Sequence, residues 1–307
     1  MAKILQLNAT IEQREDFSDE LAIFRVRPDD SLPEGQWFVP GQYMVIGVNN
    51  TEDPELGGVQ RPMSIASEPG ERGHVEFYIR RVGSPESKNP LTHSLFRLRE
   101  GERVFLRPKP KGHFTIPGTV GDEDQRWRIL VSAGTGLAPF VSIVRDDLTH
   151  GRSLKRTCII HGASRPGDLG YRRELEKLAE EQGLLYLPTV SRPADHPDWN
   201  GLAGRAEDRF KEEALGYLEE RMGLNSGSLG PDQAVVLVCG LQGTIGDSLV
   251  RLAKRGFVPA EKKIRKKLEI PEELPGSFFF EQYDSDPVID LENETLIQEL
   301  KIDLGLD

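Results

Sequence analysis

The stretch from Leu130 to Phe140, which reads LVSAGTGLAPF, limits the folds open to this chain more than any other. Its apolar run predicts a buried strand, its glycines predict a tight turn, and Pro139 is typical of a first helical turn. Such a unit directs free backbone N–H groups and the positive end of a helix dipole at one point. The stretch therefore predicts an anion site with a diphosphate as ligand; the alternative is a plain glycine turn.

Composition narrows the class of protein. The 307 residues are enough for two ordinary domains, and the net charge of −11 argues against nucleic acid as the main partner. Cys158 and Cys239 are too few for the four thiolates of an ordinary iron–sulfur cluster, and we predict no metal site. With neither a signal-peptide core nor a membrane-spanning apolar run, we expect a cytoplasmic protein. The oligomeric state is left open.

The chain up to about residue 121 predicts an antiparallel β-barrel. Short alternating runs are separated by Gly, Pro, Asn and Asp, as is typical of small barrels. The expected strands cover residues 4–11, 21–26, 43–48, 75–81 and 103–107, and the expected helix covers residues 91–98. Around Arg61, regular pairing would place Arg61, Met63 and Ile65 on one strand face and Ser64 on the other.

The chain from about residue 123 to 284 predicts a doubly wound parallel sheet. Expected strands (127–132, 157–161, 185–189, 234–239) alternate with expected helices (139–147, 171–182, 206–215, 245–255). Ligands of such sheets bind beyond the carboxyl ends of the strands. Glycines and polar side chains follow these ends: Gly134, Thr135 and Gly136; His161 with Ser164 and Arg165; Ser191 and Arg192; Cys239 and Gly240. This coincidence favours a nucleotide site over ordinary loops.

The barrel motifs resemble the flavin domain of the ferredoxin–NADP+ reductase superfamily, in particular its bacterial ferredoxin/flavodoxin reductases. They are Pro40-Gly41-Gln42-Tyr43, Arg61-Pro62-Met63-Ser64, Phe77-Tyr78-Ile79-Arg80, Leu91-Thr92 and Gly112-His113-Phe114. The resemblance implies bound FAD, with Arg61 on its diphosphate, Ser64 on the flavin ring, and Tyr78 and Arg80 on the adenosine side. It also implies cofactor contacts by Pro62, Met63, Ile79, Leu91 and Thr92.

The same motifs contain two departures from the superfamily pattern. Met63 stands where an aromatic residue normally packs on the flavin ring; a polarizable thioether can take that place with weaker stacking. Asn89-Pro90 replaces the usual glycine, and Pro90 has no N–H to offer a diphosphate.

The second half resembles the nicotinamide-nucleotide domain of the superfamily. Gly134 to Pro139 matches its diphosphate turn, Val238-Cys239-Gly240 its element beside the nicotinamide, and Trp199 to Arg205 its W-x-G-x-x-G-R element. Gln242-Gly243-Thr244 departs from the usual Pro and Met. Ser191, Arg192 and Arg205 favour NADP(H), because a guanidinium matches a 2′-phosphate whereas an NAD site would carry an acid. Ser164 and Arg165 are included with them, and plain surface arginines are the alternative.

The end of the chain departs from the family in length. Tyr283 matches the final aromatic residue that covers the flavin, and Glu281 lies two residues before it. Many family members stop near this aromatic, but this chain continues through an acidic tail whose apolar residues predict a helix: Leu291, Leu296, Ile297 and Leu300. We therefore expect domains at residues 1–121 and 122–284 and an extension at 285–307 of open role.

The resemblance implies an FAD-dependent oxidoreductase that moves electrons between NADP(H) and a small carrier, ferredoxin or flavodoxin. Its expected catalytic residues are Ser64, Cys239, Glu281 and Tyr283. An NAD(P)H:flavin reductase and an electron-transfer subunit of a larger complex are the alternatives. The basic run at residues 260–267 is expected to be either a solvated helix end or a docking patch for an acidic carrier.

Overall fold

A computed structural model describes residues 3–306 and divides them into two compact units. The barrel unit comprises residues 3–116 and Ala138–Gly151, and the sheet unit comprises Pro117–Leu137 and residues 152–306. The domain boundaries expected at residues 121 and 284 stay a prediction. No helix within residues 3–306 is long and apolar enough to cross a membrane.

The barrel unit is built on one antiparallel sheet. Its six strands within the described chain are β1 (Ala9–Ser18), β2 (Leu21–Pro28), β3 (Tyr43–Asn49), β4 (Gly58–Ser64), β5 (Val75–Arg80) and β6 (Arg103–Leu106), in the order β4-β3-β6-β1-β2-β5. The two edges meet where Ile65 pairs with Phe77 and the Ala66 N–H donates to the Glu76 carbonyl. The barrel predicted from the alternating runs is thereby confirmed, and helix α1 (Leu91–Arg97) buries Leu91 and Leu95 in its core.

A buried carboxylate holds a further helix in the barrel unit. After the short α2 (Ile116–Thr119), α3 (Ala138–Thr149) extends the predicted helix by a residue or two at each end. Glu76 of β5 is 2% exposed and accepts hydrogen bonds from Arg25 of β2 and Arg145 of α3, both at 2.7 Å. Arg145 also donates to the Ala66 carbonyl at 3.0 Å. Glu76 therefore joins two strands of the barrel to α3.

The sheet unit contains a six-stranded parallel sheet within the described residues. Its strands are β7 (Trp127–Ala133), β8 (Thr157–Ala163), β9 (Leu185–Val190), β10 (Leu202–Ala203), β11 (Ala234–Gly240) and β12 (Phe278–Gln282). Its helices are α4 (Arg172–Gln182), α5 (Glu212–Arg221), α6 (Gln242–Ala253), α7 (Lys262–Leu268) and α8 (Glu294–Asp303). The strand order β10-β9-β8-β7-β11-β12 reverses direction between β7 and β11. This confirms the doubly wound sheet and makes the β7–β11 junction its switch point.

Two predicted elements differ most from the structure, and α6 begins three residues earlier than expected. The first strand covers Ala9–Ser18 rather than residues 4–11, because its second half pairs with β2 although most of its side chains are polar and exposed. The helix expected at residues 206–215 is a 3₁₀ helix at Ala206–Phe210 followed by α5, and Lys211 between them has extended backbone angles. Hydrophobic periodicity does not reveal the second half of β1, because that half is mostly polar and exposed. Nor does it reveal the helix break at the single polar residue Lys211.

Replacing Arg145 by Met should lower the free energy of unfolding by about 1.5–3 kcal/mol, the usual contribution of a hydrogen bond to a charged group. The buried Glu76 carboxylate would lose the hydrogen bond that Arg145 donates to it. Urea denaturation followed by far-UV circular dichroism measures the change.

The matched control is Arg27→Met. Arg27 lies 3.3 Å from Glu12 with both side chains largely exposed, so its loss should cost less than about 1 kcal/mol. Equal effects of the two substitutions would contradict a special role for the Glu76 contact.

Candidate nucleotide and flavin sites

Two pieces of backbone touch at the switch point of the sheet unit. β7 is followed by a 3₁₀ turn at Gly134–Leu137, in which Gly134 has a φ of +55°. A Cβ atom on Gly136 would lie 2.0 Å from the carbonyl oxygen of Cys239 at the end of β11. Only glycine allows this approach, and it leaves the turn at the edge where doubly wound sheets bind nucleotides.

Three of the predicted catalytic residues lie together beside this turn. Cys239 pairs in register with Glu281 of β12, and the Tyr283 N–H donates to the Gly240 carbonyl at 3.0 Å. Burial raises the pKa of the Cys239 thiol, the Glu281 carboxylate raises it further, and a hydrogen bond with the Tyr283 side chain acts in the opposite direction. Cys239 is therefore a protonated, buried thiol. It can pack against neighbouring groups, but it is unsuited to nucleophilic attack.

The predicted 2′-phosphate residues follow three neighbouring strands. The Ser191 N–H donates to the Ala163 carbonyl at 2.9 Å, and the Arg192 N–H donates to the Ser164 carbonyl at 3.1 Å. These bonds continue the β8–β9 ladder past its end, so that Ser164 and Arg165 lie beside Ser191 and Arg192. All four side chains are exposed, and neither arginine forms an ion pair with any residue of the described chain. Two guanidinium groups are thus available to an anion.

Arg205 belongs to the same edge but differs from the other two arginines. The neighbouring Gly204 N–H donates to the Val190 carbonyl at 3.0 Å, next to Ser191. The Arg205 guanidinium lies 3.7 Å from Glu207, a carboxylate that is 1% exposed. Burial raises the pKa of Glu207, while its own backbone N–H and Arg205 act in the opposite direction. Because Arg205 faces an acid, its positive charge is less available to a ligand.

His161 was expected after the strand, and this expectation is wrong. β8 continues to Ala163, so His161 lies inside the strand and is fully buried. Its Nδ1 is 3.0 Å from the hydroxyl of Tyr186, and burial lowers the pKa of His161 to about 3. A neutral core histidine cannot supply a cation to the nucleotide.

The predicted flavin residues of β4 change from exposed to buried along the strand. Arg61 and Pro62 are exposed, Met63 is half-buried and packs on the barrel core, and Ser64 is buried. Pro62 is tolerated because β4 lies at the edge of the strand order. The expected shared face of Arg61, Met63 and Ile65 is incomplete, since β4 ends at Ser64 and Ile65 pairs with β5.

The predicted residues of β5 and α1 are mostly committed to the barrel. Ile79 and Leu91 belong to the hydrophobic core, so only their backbone could meet a cofactor. Tyr78 is 4% exposed, with its ring 6.1 Å from that of Phe17. Thr92 is buried and its hydroxyl accepts the Val82 N–H at 3.1 Å. Arg80 is half-buried. Of this group, Arg80 and the Thr92 hydroxyl carry polar chemistry suited to a phosphate.

Asn89, which replaces the family glycine, has a structural role. Its side-chain oxygen accepts a hydrogen bond from Asn50 at 3.0 Å, and its nitrogen donates to the Leu56 carbonyl at 3.3 Å. The residue fastens the loop before α1 to the loop between β3 and β4.

Sequence reasoning missed two charged residues that organise the units. Glu76 is one of many acids in the sequence, and only the structure shows that it is buried and bonded to Arg145 of α3. Asp284 follows Tyr283 and accepts the Gln242 N–H at the start of α6, at 3.0 and 3.2 Å from its two oxygens. No local signal distinguishes it within an acidic tail.

Comparisons with known proteins agree with the two-part fold described above. A family model described as an oxidoreductase NAD-binding domain matches residues 130–248. The ferredoxin–NADP reductase of Pseudomonas aeruginosa is 30% identical over 219 residues, covering 67% of this chain and 74% of that protein. The chain belongs to the ferredoxin–NADP reductase family. Another reductase of the family, from Azotobacter vinelandii, is 29% identical over 245 residues, covering 76% of this chain and 83% of that protein.

A solved structure of this reductase family has the same fold. It is the ferredoxin NADP+ reductase of Neisseria gonorrhoeae with bound FAD and NADP, and its TM-score is 0.69 at 20% identity. The alignment covers 91% of this chain and 99% of that one. The superfamily and the two-part fold predicted from the motifs are confirmed.

Replacing Gly136 by Ala should destabilise the sheet unit by about 1–3 kcal/mol, because the new methyl group and the Cys239 carbonyl cannot share the space. Thermal unfolding followed by circular dichroism measures the loss.

Gly216→Ala is the control for this substitution. Gly216 lies in α5, and a Cβ there would have no atom within 4 Å. Since alanine favours helix more than glycine, this variant should gain up to about 1 kcal/mol. A Gly136→Ala protein as stable as the parent would contradict the close approach.

Proposed function

We propose that this protein is an FAD-dependent oxidoreductase that transfers electrons between NADP(H) and a small one-electron carrier, ferredoxin or flavodoxin. The observation that carries the proposal is the carboxyl edge of the sheet unit. A glycine turn in contact with the Cys239 backbone lies on the same edge as two unpaired arginines. This donor set matches a nucleotide with one diphosphate and one additional phosphate.

NADP(H) is assigned to this edge residue by residue. The backbone of Gly134, Thr135 and Gly136 holds the diphosphate, and the packing of Gly136 against the Cys239 carbonyl fixes the turn at the edge of the sheet. Ser164, Arg165, Ser191 and Arg192 hold the 2′-phosphate, with Arg205 at its margin. Gly240 and Cys239 border the place of the nicotinamide, with Glu281 and Tyr283 on the next strand.

FAD is assigned to the barrel unit on its donor chemistry. Arg61 is an exposed guanidinium whose hydrogen bond is to the adjacent Gln60 carbonyl, so it can bind a phosphate without breaking an ion pair. Arg80 and the Thr92 hydroxyl add donors, and Ser64 offers a buried hydroxyl at the end of β4. When bound, FAD supplies the conversion between a hydride, which carries two electrons, and single electrons. The protein positions the cofactor and the nucleotide and excludes water from them. Cys239 does not act as a nucleophile, because its thiol stays protonated.

The nucleotide preference tests the assignment of the sheet unit. Arg192→Met should raise the Kd for NADPH about ten- to hundredfold through loss of charge-assisted bonds, and leave the Kd for NADH nearly unchanged. Arg205→Met should have a smaller effect, because Glu207 already faces that guanidinium. Calorimetric titration measures both constants.

Arg173→Met serves as the control, since Arg173 is an exposed arginine on α4 and its loss should affect neither nucleotide. If Arg192→Met weakens NADPH and NADH equally, Arg192 does not recognise the 2′-phosphate.

The carrier surface is assigned to part of the basic run. α7 carries Lys262, Lys263 and Lys266 exposed, with no ion-pair partner in the described chain. Lys267 instead pairs with Glu294 of the tail at 3.0 Å, and Arg265 donates to backbone carbonyls. The candidate docking residues are therefore Lys263 and Lys266, one turn apart.

Reversing Lys263 and Lys266 to Glu should slow the reduction of ferredoxin or flavodoxin by NADPH steeply at low salt, where charge steering is strongest. Reduction of ferricyanide should be unchanged, because a small acceptor needs no docking. Stopped-flow absorbance measures both reactions.

The control reverses Arg173 and Lys177 on α4 to Glu, which changes the net charge equally. If the charge reversals on α4 and on α7 slow the reaction equally, the effect comes from total charge and not from docking at α7. A protein purified without bound flavin that reduces only free flavin would instead be a flavin reductase.

A further inference from the structure

The tail after Tyr283 is a built part of the sheet unit. The tail contributes four buried residues to the core that contains β7 and β11: Val288, Ile289, Ile297 and Leu300. α8 lies beside α7, where Glu294 pairs with Lys267 and Lys301 pairs with Glu269. The extension is therefore held on the sheet unit by apolar packing and by two ion pairs.

The first residues of the tail bind the beginning of α6. Both Asp284 oxygens receive the Gln242 N–H, and the Gln242 side chain donates to the Val288 carbonyl at 3.2 Å. A Cβ on Gly246 would lie 2.3 Å from that same carbonyl, so the tail presses on α6 where only glycine fits. A carboxylate at a helix N-terminus is favoured by the helix dipole.

These contacts fix Tyr283 from both sides. Before it, β12 pairs with β11, and the Tyr283 N–H donates to the Gly240 carbonyl. After it, Asp284 is held on α6. Tyr283 is 42% exposed, whereas Cys239 is fully buried, and a hydrogen bond with the Tyr283 side chain acts to lower the pKa of the Cys239 thiol.

We propose that the tail is a strap and that Asp284 is its positioning residue, holding Tyr283 over Cys239 by fastening the chain to the N-terminus of α6. Movement of Tyr283 is thereby limited to its side chain. The importance of Tyr283 for the reaction rests on the proposed function; the strap itself does not. The strap also occupies the start of α6 with an acid, which leaves the β7 turn as the place for a diphosphate.

Accessibility of the two thiols tests the strap. The purified holoenzyme is treated with N-ethylmaleimide, and mass spectrometry follows the labelling of Cys239 and Cys158 separately. Asp284→Ala should raise the labelling rate of Cys239 about tenfold or more, since a charge-assisted bond holding the segment is lost. Cys158, buried inside β8, should keep its rate. Asp284→Asn, which retains one acceptor, should lie between.

Asp286→Ala is the matched control, because Asp286 is an exposed acid two residues away whose backbone carbonyl, not its side chain, is bonded. It should leave both rates unchanged. An unchanged Cys239 rate in Asp284→Ala overturns the proposal, and so does a parallel rise of both cysteines, which reports general unfolding. Failure of the parent protein to oxidise NADPH would overturn the proposed function alone, because labelling requires no electron transfer.

Discussion

The close approach of the Gly136 backbone to the carbonyl of Cys239, which leaves no room for a Cβ, is the constraint on which the sheet unit depends. It joins the turn after β7 to the end of β11, the two strands between which the strand order reverses. The turn after β7, the start of α6 and the end of β12 all take their positions from those two strand ends. The edge proposed for nucleotide binding and the placement of Glu281 and Tyr283 therefore depend on one close backbone approach.

Carboxylates with fixed partners organise each unit: Glu76 and Glu207 are buried, Asp284 is half-buried, and each is stabilised differently. Glu76 is enclosed by two guanidinium groups, so its charge is matched inside the barrel unit. Asp284 is matched by a helix N-terminus and not by a cation. Glu207 has the weaker partnership of the three, with one of its oxygens buried without a hydrogen bond in the described chain. Carboxylates thus serve in three ways: Glu76 joins strands to α3, Asp284 caps α6, and Glu207 makes the charge of Arg205 less available to a ligand.

Much of the fold and part of the site could be predicted because they depend on short-range patterns. Alternation and turn residues indicated the barrel, and regular strand–helix spacing indicated the doubly wound sheet. The rule that ligands bind at carboxyl strand ends selected Gly134, Gly136, Ser191 and Arg192; all four follow strand ends in the structure, and their binding role stays a prediction. What escaped depends on long-range contacts: the burial of Glu76 requires α3, and the role of Lys267 requires the tail. His161 was misplaced because β8 continues through Gly162 to Ala163, two residues beyond the end that the apolar run predicted.

The discontinuous make-up of the barrel unit has a consequence for how the chain is synthesised and inherited. Residues 117–137, which include β7, separate α3 from the rest of that unit. On the ribosome, Glu76 and Arg25 emerge long before Arg145, so a buried charge waits half-matched until β7 and its turn have followed. A gene segment encoding residues 1–116 lacks a piece of its own unit. Recombination that exchanges flavin modules must therefore carry the first strand of the other unit with them.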